Sequence, residues 1–420
     1  MDLIYKWEGT NSSDWNDSSN WVDGNIPPLT THSPFPNIEI FGGCAHPPIL
    51  SSKHSLKIGD LTFIEFPETL TIESPVTANT VSGPGKIILA NSTFIIKSAT
   101  TLDHVSVTGN SSLQANSEVI INTLIGTSGT FTTLGVIEIV SMNYSGDLIL
   151  DNASLSFNSR SSLGNVTAKG RSSIIAMYLW DIVIKHLIVE DFLTLSGQIS
   201  MKTISCPGTL ILANNSIFIE SATTLSQVSV IGNSSLQAAE EVTINMLFGA
   251  PSSSLTLAGS VAMHTINVNS EYTFTLSWPP ITPFTKIGGG TLNLEGSFQF
   301  SSPITIESGT LALNGSIILD TVVMQGSENI SIITLSSTSA TIASLSGISK
   351  SLTLSGSIEI TDDVTLSGGT LYIEQSMTIP KIIVTEHSTI IVASQAVLTV
   401  QTPLDESLLT IQGSVKYVPE

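Results

Sequence analysis

Residues that could perform acid–base chemistry are few and scattered. The adjacent acidic pairs are Asp362-Asp363 and Glu240-Glu241. An inverting polysaccharide hydrolase needs two carboxylates about 6.5–9.5 Å apart, but the chain lacks the further Asp, His and basic motifs that accompany such a pair in these enzymes. Arg160 and Arg171 are the only arginines, and neither lies in an acidic cluster, as a calcium-dependent lyase would require. The sequence therefore predicts no catalytic residues and a non-enzymatic protein.

Metal ligands and reactive thiols are equally hard to find. None of the seven histidines lies two or four residues from another, so a zinc signature is missing. Asp14, Asp17 and Asp23 could hold calcium, although solvation is the simpler expectation. Cys44 and Cys206 are 162 residues apart, too far along a repeating fold for a disulfide, so we expect two free thiols. No metal and no cofactor are expected.

One aromatic segment is the best candidate for ligand binding. Residues 270–290 interrupt the pattern of the chain with four aromatic residues, three prolines and a triple glycine. A loop on a rigid scaffold often carries binding residues, which favours a protruding aromatic loop. The alternative is a turn whose aromatic side chains fold back onto the scaffold. The candidate binding residues are Tyr272, Phe274, Trp278 and Phe284.

The scaffold beneath these residues is repetitive. The block Gly85–Leu124 matches Gly208–Leu247 at 26 of 40 positions without a gap, and the preceding residues extend the duplication to 80–124 and 203–247. A Gly-Thr-Leu motif recurs at intervals close to multiples of about 20 residues, a period typical of solenoids. The duplication therefore preserves whole repeat units.

Each unit contains three or so short runs of alternating apolar and polar residues, separated by Gly, Asn or Ser. Alternation with a period of two indicates strands with one buried face, and Gly or Asn at the boundaries supplies turns. Residues 46–420 are therefore predicted to form an all-β parallel β-helix of roughly 18 turns, about 20 residues per turn. The inward-facing residues expected in the two copies are Ile87, Leu89, Val105, Val107, Leu113 and Ile121, and Leu210, Leu212, Val228, Val230, Leu236 and Ile244.

Composition excludes several classes of partner. The net charge is −20, and only 11% of the residues are charged. Such a chain repels the phosphates of nucleic acids and of anionic membranes, and no apolar run is long enough to insert into a bilayer. The sequence holds 63 Ser and 47 Thr among 420 residues, so its polar surface is made of hydroxyls. A glycan or a cell-surface protein is the expected partner.

Residues 1–45 differ from the rest and are predicted to form an N-terminal cap. They hold Trp7, Trp15 and Trp21, and the pattern Asn20-Trp21-x-x-Gly24-x-x-Pro27 precedes an apolar strand at Ile38–Phe41. We expect the three indoles to pack as a lid over the first turn, with carbohydrate stacking as the alternative. The segment resembles the opening of extracellular β-helix proteins: autotransporter-type adhesin passengers, G8 domains and amnionless-type ectodomains. Many such caps place Asp where this chain has Asn37. The resemblance implies a secreted or cell-surface protein with a pectin lyase-like architecture.

Targeting signals add little to this expectation. Neither a secretory signal nor an anchor segment is visible, so the chain is expected to be a mature form or a fragment of a longer extracellular protein rather than a cytosolic one. Glycosylation is a further expectation if the source is eukaryotic. The eleven acceptor sequons lie at Asn11, Asn16, Asn91, Asn110, Asn143, Asn152, Asn165, Asn214, Asn233, Asn314 and Asn329.

The expected function is adhesion, ligand display or surface structure. Two alternatives remain open: a polysaccharide-active lyase or glycoside hydrolase, and a receptor ectodomain that binds a protein. A third, an ice-binding or self-assembling rod, needs a regular Thr-x-Thr ladder. The sequence shows only scattered copies of that motif, such as Thr69 with Thr71 and Thr273 with Thr275.

Overall fold

The structure is a computed structural model that describes residues 4–28, 35–51, 55–65, 68–126, 128–177, 181–269, 272–277, 283–326, 329–334, 339–405 and 407–418. Strands make up 72% of it and helix 2%, and nearly all strand pairs are parallel. The chain is a β-solenoid of about 19 turns with roughly 19 residues per turn. The predicted parallel β-helix is therefore confirmed, with a period one residue shorter than expected.

The chain divides into two compact units, Met1–Leu210 and Ile211–Glu420. Two short 3-10 helices lie in the first, at Ser18–Asn20 and Val22–Gly24. The strands wholly within the first unit are β1 (Ile4–Trp7), β2 (Asn37–Ile40), β3 (Ile49–Leu50), β4 (Leu56–Phe63), β5 (Thr69–Ile72), β6 (Val76–Ser82), β7 (Lys86–Ala90), β8 (Thr93–Ile96), β9 (Thr100–Thr108), β10 (Ser111–Ala115), β11 (Val119–Gly126), β12 (Thr130–Tyr144), β13 (Asp147–Phe157), β14 (Ser161–Lys169), β15 (Arg171–Ala176) and β16 (Asp181–Val189). Strand β17 (Phe192–Ile219) contains the boundary.

The second unit holds the remaining twenty strands that the structure describes. They are β18 (Thr223–Ile231), β19 (Asn233–Gly249), β20 (Ser253–Val268), β21 (Thr273–Ser277), β22 (Phe284–Ile287), β23 (Thr291–Phe300), β24 (Ile304–Ile306), β25 (Gly309–Met324), β26 (Ile330–Thr334), β27 (Ser339–Ile348), β28 (Ser351–Ser355), β29 (Ser357–Ile360), β30 (Asp363–Ser367), β31 (Thr370–Ile373), β32 (Met377–Ile379), β33 (Lys381–Glu386), β34 (Ser388–Val392), β35 (Val397–Val400), β36 (Leu409–Gln412) and β37 (Ser414–Tyr417).

The core of each unit consists of columns of apolar side chains that stack from turn to turn. In the first unit, Ile87 of β7 is in register with Val105 of β9, and Leu89 with Val107. All twelve residues that were expected to face inward are buried, with at most 1% of their surface exposed. Parallel strands lie about 4.8 Å apart, so each column is a continuous apolar stack and the predicted core is confirmed.

Several corners of the solenoid are built on asparagine. Asn91, Asn152 and Asn214 adopt positive φ angles of 51°, 50° and 48°, a left-handed conformation that Asn tolerates better than most residues. Each Oδ1 also accepts a hydrogen bond from a backbone N–H one turn later, at 3.0 Å from Asn110, 3.1 Å from Arg171 and 3.0 Å from Asn233. One side chain therefore shapes the corner and ties it to the next turn.

This corner accounts for several of the sequons. The residue after the corner asparagine faces inward and is small or polar, as at Ser92, which is 5% exposed. The next residue begins a strand and faces outward, where a hydroxyl is common, as at Thr93. Asn-x-Ser/Thr thus follows from the geometry of the turn, which weakens the sequon count as evidence for glycosylation.

The N-terminal segment joins the stack directly. Strand β1 pairs in parallel with β2, which pairs with β4. Trp7, Trp15 and Trp21 lie beside it with 0%, 2% and 3% of their surface exposed. Their ring centroids are 4.6–6.0 Å apart. The three indoles pack against one another as a hydrophobic cluster, as expected of a lid rather than of exposed sugar-stacking platforms.

Candidate functional site

The structure buries two of the four aromatic residues that were predicted to form a binding loop. Phe274 is 0% exposed in β21 and Phe284 is 2% exposed in β22. Both occupy inward positions of alternating strands, and Phe284 packs against Phe300 with centroids 5.9 Å apart. Neither side chain is available to a ligand, because each fills the core. Tyr272 is half-buried just before β21, and Trp278 lies outside the described residues.

The acidic candidates are not assembled into a site. Asp362 is exposed in a turn, and Asp363 begins β30. Glu240 is exposed and accepts a hydrogen bond from the backbone N–H of Ala222 at 3.0 Å. Among the described residues, no group of three or more His, Cys, Asp or Glu side chains is placed to hold a metal ion.

Asp17, one of the three residues considered for calcium, is occupied by the cap itself. Its carboxylate accepts hydrogen bonds from the Ser19 hydroxyl at 2.6 Å, the Asn11 amide at 2.8 Å and the Ser12 hydroxyl at 3.1 Å. These donors, led by Ser19, hold the pKa of Asp17 below its ordinary value. The carboxylate thus ties together the turn that carries the tryptophans.

The two cysteines are free thiols, as predicted. Cys44 donates to the Oε2 atom of the buried Glu68 at 2.7 Å. Burial and this carboxylate raise the pKa of Cys44 to about 12. Burial alone raises the pKa of Cys206 to about 11. Both thiols stay protonated at neutral pH and make poor nucleophiles.

The second unit contains a buried lysine. Lys286 follows Phe284 by two positions in β22 and is 0% exposed. Its Nζ donates to the backbone oxygens of Gly288 at 2.5 Å and Ser308 at 2.6 Å. The ammonium group thereby bridges two successive corners of the second unit.

A row of hydroxyls on one face of the second unit is the strongest candidate for binding. Five residues on successive turns are in register, each one strand further along the stack. Four further residues form a second row. It starts on β28, the strand that carries the last residue of the first row, and runs onward over the following turns. We call these nine residues the hydroxyl ladder. They are Thr273, Thr291, Thr310, Ser331 and Thr353, followed by Ser351, Thr370, Thr389 and Thr410.

The ladder covers eight successive turns. At about 4.8 Å per turn it extends for about 34 Å. Its residues are half-buried or exposed outward positions of their strands. Seven of the nine are threonines, whose branched side chains have restricted χ1 angles. Their hydroxyls are therefore held in fixed directions at a regular spacing.

The ladder hydroxyls are not used in hydrogen bonds along the stack. Some other stacked hydroxyls are, as Ser112 donates to Thr93 at 2.8 Å and Ser235 to Ser216 at 2.9 Å, whereas the stacked pair Thr224 and Thr243 resembles the ladder. Within the described part of the chain, no ladder residue makes a side-chain hydrogen bond to another residue. A hydroxyl has one donor and two acceptor positions, so the whole ladder is free to bind an external polar partner.

The structure also brings together a histidine and a threonine that the sequence keeps apart. Nδ1 of His186 lies 2.5 Å from the hydroxyl oxygen of Thr203, one turn later in the first unit. In the same column, the amide of Asn165 donates to Asp147 at 2.7 Å. A base within hydrogen-bond reach of a hydroxyl is one part of a nucleophilic site. The pair lies on a sheet whose backbone amides are used in strand pairing, so a donor set for an oxyanion is missing around it.

Comparison with known proteins gives no relative. No protein family, curated protein or solved structure matches this chain. No helix among the described residues is long and apolar enough to span a membrane.

Proposed function

We propose that this protein is a non-enzymatic glycan-binding β-solenoid of the cell surface or extracellular space, and that it holds a linear neutral polysaccharide along the hydroxyl ladder. The observation that carries the proposal is the pair of rows, five and four residues long, in each of which unengaged hydroxyls stand about 4.8 Å apart. Polysaccharides present hydroxyls at regular intervals along a chain, and hydroxyls pair with hydroxyls as both donors and acceptors.

The open, solvent-facing position of the ladder favours a polymer over a small sugar. Each hydroxyl faces solvent, so one hydrogen bond contributes only about 1 kcal/mol net. A polymer that spans many turns loses its translational and rotational entropy once, at the first contact. Each later contact is intramolecular and adds to the affinity. Affinity is therefore expected to rise steeply with the length of the glycan.

The charge of the protein favours a neutral glycan. With a net charge of −20, the chain repels uronates and sulfated sugars at long range. The ladder itself contains no cation that could offset this repulsion. Extracellular location is proposed from the resemblance of the N-terminal segment and from the hydroxyl-rich composition.

The test is retention of the purified chain on insoluble neutral polysaccharides, with soluble sugar measured in the same tube. We expect retention without release of sugar. The double variant Thr291→Val, Thr310→Val keeps the shape of both side chains but removes two central hydroxyls, and it should lower retention. The matched control is Thr341→Val, Thr365→Val, which alters outward threonines of β27 and β30 that are outside the ladder. Equal retention of both double variants would refute the ladder as the binding surface.

A second candidate function, ester hydrolysis, is favoured by the contact between His186 and Thr203 alone. Release of soluble product by the purified chain, abolished by Thr203→Val, would support it and overturn the non-enzymatic proposal. Product release that survives this variant would exclude the pair as its cause.

A further inference from the structure

A separate cleft lies near the segment where binding was first expected. It opens on the second unit with a volume of about 550 Å³ and is lined by residues from three successive turns. This volume falls within the range of roughly 300–1,000 Å³ that is usual for small-molecule sites. The lining residues are His264, Thr265, Pro283, Phe284, Thr285 and Thr305.

Three threonines form the polar wall of the cleft. Thr265, Thr285 and Thr305 are in register on β20, β22 and β24. As in the hydroxyl ladder, none of them makes a side-chain hydrogen bond within the described residues. His264 is exposed at the rim, and its imidazole adds one more donor or acceptor.

The row of three hydroxyls is closed at both ends. Met246 precedes Thr265 in the column, and Val323 follows Thr305. Two steps of about 4.8 Å give a polar length of about 10 Å. A ligand of one or two sugar rings fits this length, whereas a long polymer meets apolar side chains on either side. The cleft thus differs from the ladder, whose longer row runs over five turns before it meets Tyr372.

The remaining wall is apolar and carries no fixed charge. Pro283 is exposed and supplies the accessible apolar surface, while Phe284 lies beneath the cleft with 2% of its surface exposed. A sugar ring has an apolar face of C–H groups as well as hydroxyls, so it matches a wall that is hydroxyl on one side and apolar on the other. No Lys, Arg, Asp or Glu is among the lining residues described. This selects a neutral ligand over an anionic or cationic one.

We propose that this cleft is a binding site for a neutral mono- or disaccharide, held by the hydroxyls of Thr265, Thr285 and Thr305 and by the imidazole of His264. The site is independent of the hydroxyl ladder. It could bind a free sugar or the end of a glycan. The proposal stands or falls separately from polysaccharide binding along the ladder.

Ligand-observed NMR with the full chain tests the site. The probes are glucose, galactose, N-acetylglucosamine and cellobiose as neutral sugars, glucuronate as the anionic sugar and glycerol as a small polyol. We expect saturation transfer to at least one neutral sugar, a weaker response from glucuronate, and a shift of the His264 ring protons on titration. Absence of transfer to every neutral sugar, or an equal response from glycerol, would overturn the proposal.

Variants then locate the binding. Thr285→Val combined with Thr305→Val removes two hydroxyls worth about 1 kcal/mol each and should weaken binding about thirtyfold. The matched control is Thr365→Val, an outward threonine of β30 away from the cleft. The ladder variant Thr291→Val, Thr310→Val should bind the small sugar normally while losing the polymer. Loss of small-sugar binding in the ladder variant, with the cleft variant unaffected, would place that sugar on the ladder and refute the cleft.

Discussion

The corner asparagines allow a quantitative test of how the solenoid is held together. Asn214 has a φ of 48°, and its Oδ1 accepts the backbone N–H of Asn233 at 3.0 Å. Three substitutions separate its two roles. Asn214→Ala removes both the tolerance of left-handed φ and the hydrogen bond. Asn214→Gly keeps the backbone freedom but loses the bond, and Asn214→Asp keeps an acceptor at the same position.

The expected magnitudes follow from these roles. A left-handed residue other than Gly or Asn costs about 1–2 kcal/mol, and a lost hydrogen bond costs about 1 kcal/mol. We therefore expect Asn214→Ala to lower the free energy of opening by about 2–3 kcal/mol and Asn214→Gly by about 1 kcal/mol. Asn214→Asp should change it little, because a carboxylate oxygen accepts the same N–H and Asp also tolerates this conformation.

Hydrogen exchange is the suitable assay, because a repeat protein opens locally and its stability is a sum over neighbouring turns. Exchange of the Asn233 amide should accelerate in the order Asp, Gly, Ala, while amides of β34, many turns away, stay unchanged. Equal acceleration in the Gly and Ala variants would show that φ carries no cost. If exchange in the Asp variant is accelerated as much as in the Ala variant, the hydrogen bond to the Asn233 amide does not stabilise the corner.

Three further predictions concern buried polar groups. Trp15→Phe should cost about 1 kcal/mol less than Trp21→Phe in a urea titration. The indole N–H of Trp15 has no partner among the residues that the structure describes, whereas that of Trp21 donates to a backbone oxygen at 2.9 Å. An equal cost would contradict this assignment. Lys286→Ala should destabilise the chain by about 3 kcal/mol or more, because it leaves a cavity and removes the donor to two backbone oxygens. An unchanged melting temperature would refute the role of the ammonium group. Cys44 and Cys206 should resist iodoacetamide at pH 8 until urea is added, as followed by mass spectrometry. Rapid labelling of the native chain at pH 8 would contradict the burial. Folding raises both thiol pKa values above 9.0, so the unfolded chain loses these protons first. The free energy of unfolding should therefore fall as pH rises from about 9 towards 11 for Cys206 and towards about 12 for Cys44.

The fold was predictable because stacking leaves a strong trace in the sequence. A turn that must pack on its neighbours repeats its apolar alternation, so Ile87 and Leu89 recur in the next copy as Leu210 and Leu212. Corner residues recur for the same reason. The exact register was not predictable, because turns differ in length. Thr291 and Thr310 are 19 residues apart, but Ser331 and Thr353 are 22 apart and still stack.

The candidate site was harder to predict than the fold. Phe274 and Phe284 drew attention as aromatic residues in an irregular segment, yet Phe274 alternates with Leu276 in the manner of a core strand. The alternation predicted burial correctly, whereas the aromatic composition of the segment suggested exposure. The alternation also places Lys286 inward beside Phe284. Its residue type argued against that position, because burying a charge is costly unless hydrogen bonds compensate it. The contact between His186 and Thr203 was missed because neighbours on a solenoid lie one turn apart, not three or four residues apart.

Low charge and abundant hydroxyls have one physical origin, and this bears on how the ladder is interpreted. Parallel stacking places equivalent side chains about 4.8 Å apart, a spacing at which like charges repel one another. Serine and threonine avoid that repulsion, so a hydroxyl surface alone says nothing about function. A stacked hydroxyl can bond to its neighbour, as Ser112 donates to Thr93, or face the solvent, as Thr291 and Thr310 do. Facing the solvent is not peculiar to the ladder, since Thr265, Thr285 and Thr305 do the same over three turns. What distinguishes the ladder is its length, because its longer row places five hydroxyls in register on successive turns, and length is the property that a polymer would use.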